Sequence, residues 1–352
     1  MSDPPIHGGN LTWAAAFAGC PPEELLDFSA NINPLGPPQS ALEAIERTLG
    51  ELRNYPDPHY GALRGAIAQS HKIDPAWVLP GNGAAELLTW AGLELSQCDR
   101  VLLPLPAFGD YGRALQTFGA KICPVSAWNQ PLWQVSSREG LLVNNPHNPT
   151  GQLWPRWRLR AMLETAQLVV ADEAFMDFLE PNHQESLIDW VTEFPNLVVL
   201  RSLTKFYSLP GLRLGYAVSN PERLRRWQGW RDSWPVNVLA AAAGTAVLAD
   251  TAFQQRTYQW LKPAKQKLWD AINEIPGLSA DWGAANFLLV RTRMPGDQLQ
   301  RLLLREQRIF VRDCLSFQEL GDRFIRIAVK RPQENRRLVS ALEVIFDSNQ
   351  YT

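Results

Sequence analysis

The stretch R-S-L-T-K-F-Y-S-L-P-G-L-R-L-G-Y, residues 201–216, places one lysine, Lys205, just beyond an apolar strand with hydroxyls and an arginine close by. An unpaired ammonium is costly to bury there, whereas an amine condensed with an aldehyde becomes an imine that an incoming amine can displace. Lys205 is therefore read as a Schiff-base lysine. Ser202 and Thr204 offer neutral donors, and Arg213 a forked charged one, for a phosphate on the same partner. Gly211 and Gly215 are expected to let the backbone turn closely around these groups. Taken alone, such a lysine is more often an ordinary surface residue between two strands. Two other stretches reverse that reading.

The first is N-N-P-H-N-P-T-G at 144–151 and the second A-D-E-A-F at 171–175, both upstream of the lysine. With Asn148, Asp172 and Lys205 in that order, the chain resembles the class I/II aminotransferases of pyridoxal-phosphate fold type I over nearly its whole length. The resemblance implies pyridoxal 5'-phosphate as cofactor and a homodimer with sites between subunits. Asp172 suits the ring nitrogen, because a carboxylate in a water-poor site favours the protonated pyridine that draws in electrons. Asn148 would donate to the phenolic oxygen. Many relatives add a tyrosine donor where this chain has Phe175, so the Schiff-base proton is expected to titrate at higher pH here.

Bulk composition narrows the rest. The chain has 352 residues, 45% apolar and 20% charged, with a formal net charge of -2. That length suffices for a large domain and a smaller one, and the charge offers no broad basic surface for nucleic acid. Cys20, Cys98, Cys123 and Cys314 lack metal-site or disulfide spacing, so no metal is expected. No basic leader precedes an apolar run, and no stretch nears the ~18 apolar residues of a membrane span, so the expectation is a cytoplasmic protein without membrane contact.

Short apolar runs at 120–125, 140–144, 167–172 and 197–202 alternate with helical patterns. This argues an α/β fold with a mostly parallel sheet covered on both faces. Functional groups in such sheets gather at the carboxyl ends of strands, where Asn148, Asp172 and Lys205 fall. The expected organisation is an arm at 1–45 that joins the small domain, a large cofactor-binding domain at 46–250, and a small α+β domain at 251–352. Strands are expected in the last near 285–291, 308–312 and 323–329.

Four further segments carry candidates. Gly83, Ala84 and Ala85 open a helix after the strand V-L-P-G-N, and their N–H groups could cradle a phosphate. Phe108 follows a buried strand and is either core packing or, as in the family, a ring lying on the pyridine. Tyr55 either staples a proline-stiffened turn or, as the resemblance implies, reaches a neighbouring subunit's cofactor phosphate. In the arm, His7, Gly8, Gly9 and Asn10 (H-G-G-N) and Asn31 (S-A-N-I-N-P-L-G) are either turn residues or substrate contacts.

The resemblance also assigns Arg326 to a substrate carboxylate and Arg312 to a substrate phosphate, with structural ion pairing as the other reading of each. Within the family, H-G-G-N, S-A-N-I-N-P and Phe175 resemble threonine-phosphate decarboxylases. The implied reaction is decarboxylation of L-threonine O-3-phosphate to (R)-1-amino-2-propanol O-2-phosphate in cobalamin biosynthesis. The alternative is histidinol-phosphate aminotransferase. Chemistry alone leaves decarboxylation and transamination open, because both use the same residue types.

Overall fold

The computed structural model describes residues 7–128 and 133–347. In chain order the strands are β1 Leu26–Asp27, β2 Val78–Asn82, β3 Val101–Leu105, β4 Ile122–Ser126, β5 Gly140–Asn144, β6 Leu168–Asp172 and β7 Leu197–Ser202. They continue with β8 Leu214–Ser219, β9 Leu278–Asp281, β10 Phe287–Thr292, β11 Ile309–Phe310, β12 Arg312–Asp313 and β13 Phe324–Ala328.

Seven strands form the main sheet in the order β2-β8-β7-β6-β5-β3-β4. Pairs among β4, β3, β5, β6 and β7 are parallel, while β8 runs antiparallel to both β7 and β2. The reversal follows from the lysine segment: after β7 the chain makes one short helical turn, Leu203–Phe206, and comes straight back without a crossover helix. Leu141, Val143, Val169, Ala171, Leu197 and Val199 face one core, and Leu142, Leu168, Val170, Val198 and Leu200 the other. Both faces are therefore apolar, which is why these strands read as unbroken hydrophobic runs. Removing each such Val or Leu side chain from water contributes about 1.5–3 kcal/mol.

A second sheet has the order β12-β13-β10-β9. The run expected as one strand at 308–312 is two: β11 pairs in parallel with β1 of the N-terminal arm, and β12 pairs with β13. Buried Val311 lies between them, so the chain changes sheets there and carries the arm against the four-stranded layer. The helix Thr251–Glu274 leads from the main sheet toward β9. Among the described residues no helix is long and apolar enough to cross a membrane, and the four cysteines are unpaired.

Candidate active site

Asn144 and Asp172 are register partners at the ends of β5 and β6, and their connection is also made by side chain. Asn144 Nδ2 donates to the Asp172 carbonyl at 2.8 Å, and its Oδ1 accepts the Asn148 N–H at 2.7 Å. One asparagine thus ties the Asn148 turn to the strand carrying Asp172. The Asp172 carboxylate accepts the Tyr111 hydroxyl at 2.7 Å and the Ala174 N–H at 3.0 Å. Burial raises its pKa, and those two donors work against the rise. Among the described residues no cation lies in salt-bridge contact with it, so a protonated ring nitrogen fits the position.

Lys205 sits in the turn after β7 and lines the same cleft of about 190 Å³. Burial lowers its amine from 10.5 to about 8, with the Arg326 and Arg213 charges acting in the same direction. An amine so poised is the chemistry a carbonyl partner needs. Its turn is held from the arm: Asn33 donates its backbone N–H to the Lys205 carbonyl at 3.1 Å and its side-chain amide to Phe206 at 2.8 Å.

Near the lysine turn lies a cluster of groups able to hold a phosphate. The Ser202 and Thr204 hydroxyls are 2.7 Å apart, and Gly215, the register partner of Ser202, brings the start of the helix Ala84–Leu95 against this edge. A Cβ at Gly215 would stand 2.5 Å from the Ala84 nitrogen, and one at Gly83 only 2.6 Å from Arg213 Nη2. Free N–H groups of Ala84 and Ala85, two hydroxyls and one guanidinium fit a phosphate. Gly211 does not provide the expected conformational freedom. Arg213 itself takes the left-handed conformation, φ 56°, and so turns its side chain toward Gly83.

The opposite wall comes from the second sheet and the arm. Register pairing of Arg312 with Arg326 sets two buried arginines side by side on β12 and β13. Arg326 donates to Asn148 Oδ1 and, at 3.1 Å, to the Ser29 carbonyl. Since the Asn148 oxygen is engaged, its amide N–H group is the part left for a phenolic oxygen. Burial lowers the Arg326 guanidinium to about 10. Arg312 donates to Ser316 and makes a 3.5 Å contact with Asp313.

His7, Gly8 and Asn31 line the cleft, and Phe108 lies over its edge, 5.4 Å from the His7 ring and edge-on to Tyr111. Gly9 and Asn10 lie off the cleft wall. Gly9 donates its N–H to Ser29 Oγ at 2.8 Å, and Asn10 caps the helix Leu11–Ala18 by accepting the Trp13 N–H at 3.0 Å. Tyr55 is 79% exposed and stacks on Trp234 at 4.2 Å, outside the cleft. Sequence reasoning passed over Tyr111, Asn144, Ser29 and Phe317, all of which line the cleft.

A mostly parallel sheet flanked by helices, with Asp172 and Lys205 at its strand ends, defines the class: this is the fold type I architecture of pyridoxal-phosphate enzymes. The family model of aminotransferase class I and II matches residues 23–342, and the chain belongs to this family. Threonine-phosphate decarboxylase of Salmonella typhimurium is 38% identical across 97% of this chain and 96% of its own. Histidinol-phosphate aminotransferase of Symbiobacterium thermophilum is 34% identical across 91% and 90%. The structure of histidinol-phosphate aminotransferase from Sinorhizobium meliloti in complex with pyridoxal-5'-phosphate superposes with a TM-score of 0.87 at 23% identity, covering 96% of this chain and 95% of that one.

Proposed function

We propose that this protein is a pyridoxal-phosphate-dependent carboxy-lyase that converts L-threonine O-3-phosphate to (R)-1-amino-2-propanol O-2-phosphate, a step of cobalamin biosynthesis. The observation that carries the reading is the pair of buried, register-matched arginines facing the lysine. A substrate bearing both a carboxylate and a phosphate uses both at once, whereas an aminotransferase would use them in turn, for the phosphate of histidinol phosphate and then for the carboxylates of 2-oxoglutarate. The 38% identity to a threonine-phosphate decarboxylase supports the same choice.

Bound at this site, pyridoxal phosphate supplies an electron-poor ring that accepts the charge of a bond broken at the substrate's Cα. Asp172 keeps the proton on the ring nitrogen, and Tyr111 keeps Asp172 oriented. Arg326 grips the α-carboxylate through paired donors and Arg312 the phosphate. Lys205 holds the proton destined for Cα. Gly83, Ala84, Ala85, Ser202, Thr204 and Arg213 bind the cofactor phosphate, and Phe108 covers the ring.

Within the same reading the protein is a cytoplasmic homodimer. Tyr55, exposed and stacked on Trp234, is the residue that would reach a partner's cofactor phosphate, as the family resemblance implies. The arm at 1–45 and the residues from 251 onward form the small domain against a large one at 46–250, as the pairing of β1 with β11 supports.

The test mixes the protein with pyridoxal phosphate and O-phospho-L-threonine and follows carbon dioxide release without a keto acid. Release is expected. Amino transfer from histidinol phosphate to 2-oxoglutarate, without such release, overturns the decarboxylase reading in favour of the aminotransferase.

A further inference from the structure

Lys265, on the helix Thr251–Glu274, is buried, yet no carboxylate lies in salt-bridge contact with it among the described residues. Its Nζ donates to the carbonyls of Gly283 and Ala285, each at 2.7 Å, and stands 4.9 Å from the ring centroid of Trp282. The loop after β9 is therefore wrapped around a single amine. Burial without a counter-charge lowers that amine to about 7. Neutral or charged, it has the two N–H bonds this arrangement requires.

The wrapped loop lies directly against the turn that carries Asn148. Ala284 donates its N–H to the Gly151 carbonyl at 2.5 Å. Gly151 and Gly283 meet so closely that a Cβ on the first would stand 2.7 Å from the Cα of the second. Gly151 in turn donates its N–H to the His147 carbonyl at 2.6 Å, closing the turn around Asn148. On its other side the loop runs into Asn286, whose amide donates to the Asn31 carbonyl at 3.1 Å, and Phe287, whose ring lies under Arg326. An ordinary apolar residue at 265 would fill the same space. It would leave the half-buried Gly283 carbonyl and the buried Ala285 carbonyl without this donor.

We infer that Lys265 is a positioning residue: by clamping the 283–285 loop against Gly151 it fixes the Asn148 turn, and with it the asparagine amide that faces the cofactor. The inference rests on the reading of Asn148 as a cofactor contact. Its test therefore begins on cofactor-free protein, where that reading is not at stake.

Amide hydrogen exchange is compared among the wild type, Lys265→Met and Lys265→Gln, where glutamine keeps a shorter donor should methionine prevent folding. Exchange in residues 144–152 is expected to rise about tenfold or more in Lys265→Met and less in Lys265→Gln, with β6 and β7 unchanged. With pyridoxal phosphate added, the absorbance titration of Lys265→Met is expected to move up by as much as about one pH unit, the worth of one weakened hydrogen bond. Unchanged exchange at 144–152 in both variants overturns the inference. So does a loss of protection that spreads evenly over the main sheet, which would mark a general structural role. Failure of the wild type to bind pyridoxal phosphate would instead overturn the functional reading, leaving the exchange result to decide the clamp.

Discussion

The two walls of the cleft are built on different principles. The cofactor wall hangs from regular strand ends: Asp172 closes β6, Lys205 follows β7, and Asn148 follows β5, all set by parallel register. The substrate wall is assembled from a two-residue strand, a sheet-changing turn and an N-terminal arm. Their charges also differ: on one side Asp172 has no cation in salt-bridge contact among the described residues, and on the other two buried guanidiniums stand side by side. On the proposed reading the shared cofactor rests on the first kind of wall and the substrate on the second, where changes need not disturb the sheet.

The largest expected effect lies on the cofactor wall. Lys205→Met should abolish turnover and the absorbance of a lysine-linked cofactor. The cofactor-free variant should nonetheless be more stable than the wild type. Because folding lowers the Lys205 pKa from 10.5 to about 8, the native state binds fewer protons than the unfolded chain between those values. The cost of burying the ammonium is therefore full below pH 8 and fades as pH rises toward 10.5. Denaturant titrations across that window should show the variant's advantage closing in the same direction; an advantage that grows with pH would contradict the assignment.

On the substrate wall, Arg326→Gln should lower kcat/KM by ~30-fold or more, and Arg312→Gln by less, since truncating a buried, hydrogen-bonded charge pair costs roughly 2–5 kcal/mol. Arg326 also holds Asn148 Oδ1, so its variant should shift the absorbance titration of the bound cofactor more than Arg312→Gln does. Equal spectral shifts in both would show that the two walls are not separable as drawn.

Smallest is Phe175→Tyr. Phe175 is buried, lines the cleft and meets Phe287 edge-on at 5.3 Å. A hydroxyl there adds a donor for the phenolic oxygen, and the titration midpoint should fall by up to about one unit. No fall would mean that the new hydroxyl points elsewhere.

Asp172, Asn148 and Lys205 were legible in the sequence because each follows an apolar run and the motifs around them, N-N-P-H-N-P-T-G, A-D-E-A-F and the lysine stretch, resemble those of the family. Tyr111 was not, although it lies one helical turn beyond Phe108; its role depends on β6 passing beneath it, which no local pattern encodes. Asn10 carried a readable signal in the other direction, an asparagine directly before the apolar helix L-T-W-A-A-A-F-A, and its use as a cap follows from that. The strand at 308–312 divided because its two halves find partners far apart in the chain, information absent from the run itself.

The pairing of Leu26 with Ile309 has a consequence for how the molecule is made. A nascent chain ending before β11 already contains every residue proposed for the cofactor wall, whereas Leu26–Asp27 of the arm has no strand edge to join. Contacts this distant in sequence form late, since loop closure must precede them. During synthesis a place for the cofactor can therefore exist before the wall that distinguishes one substrate from another.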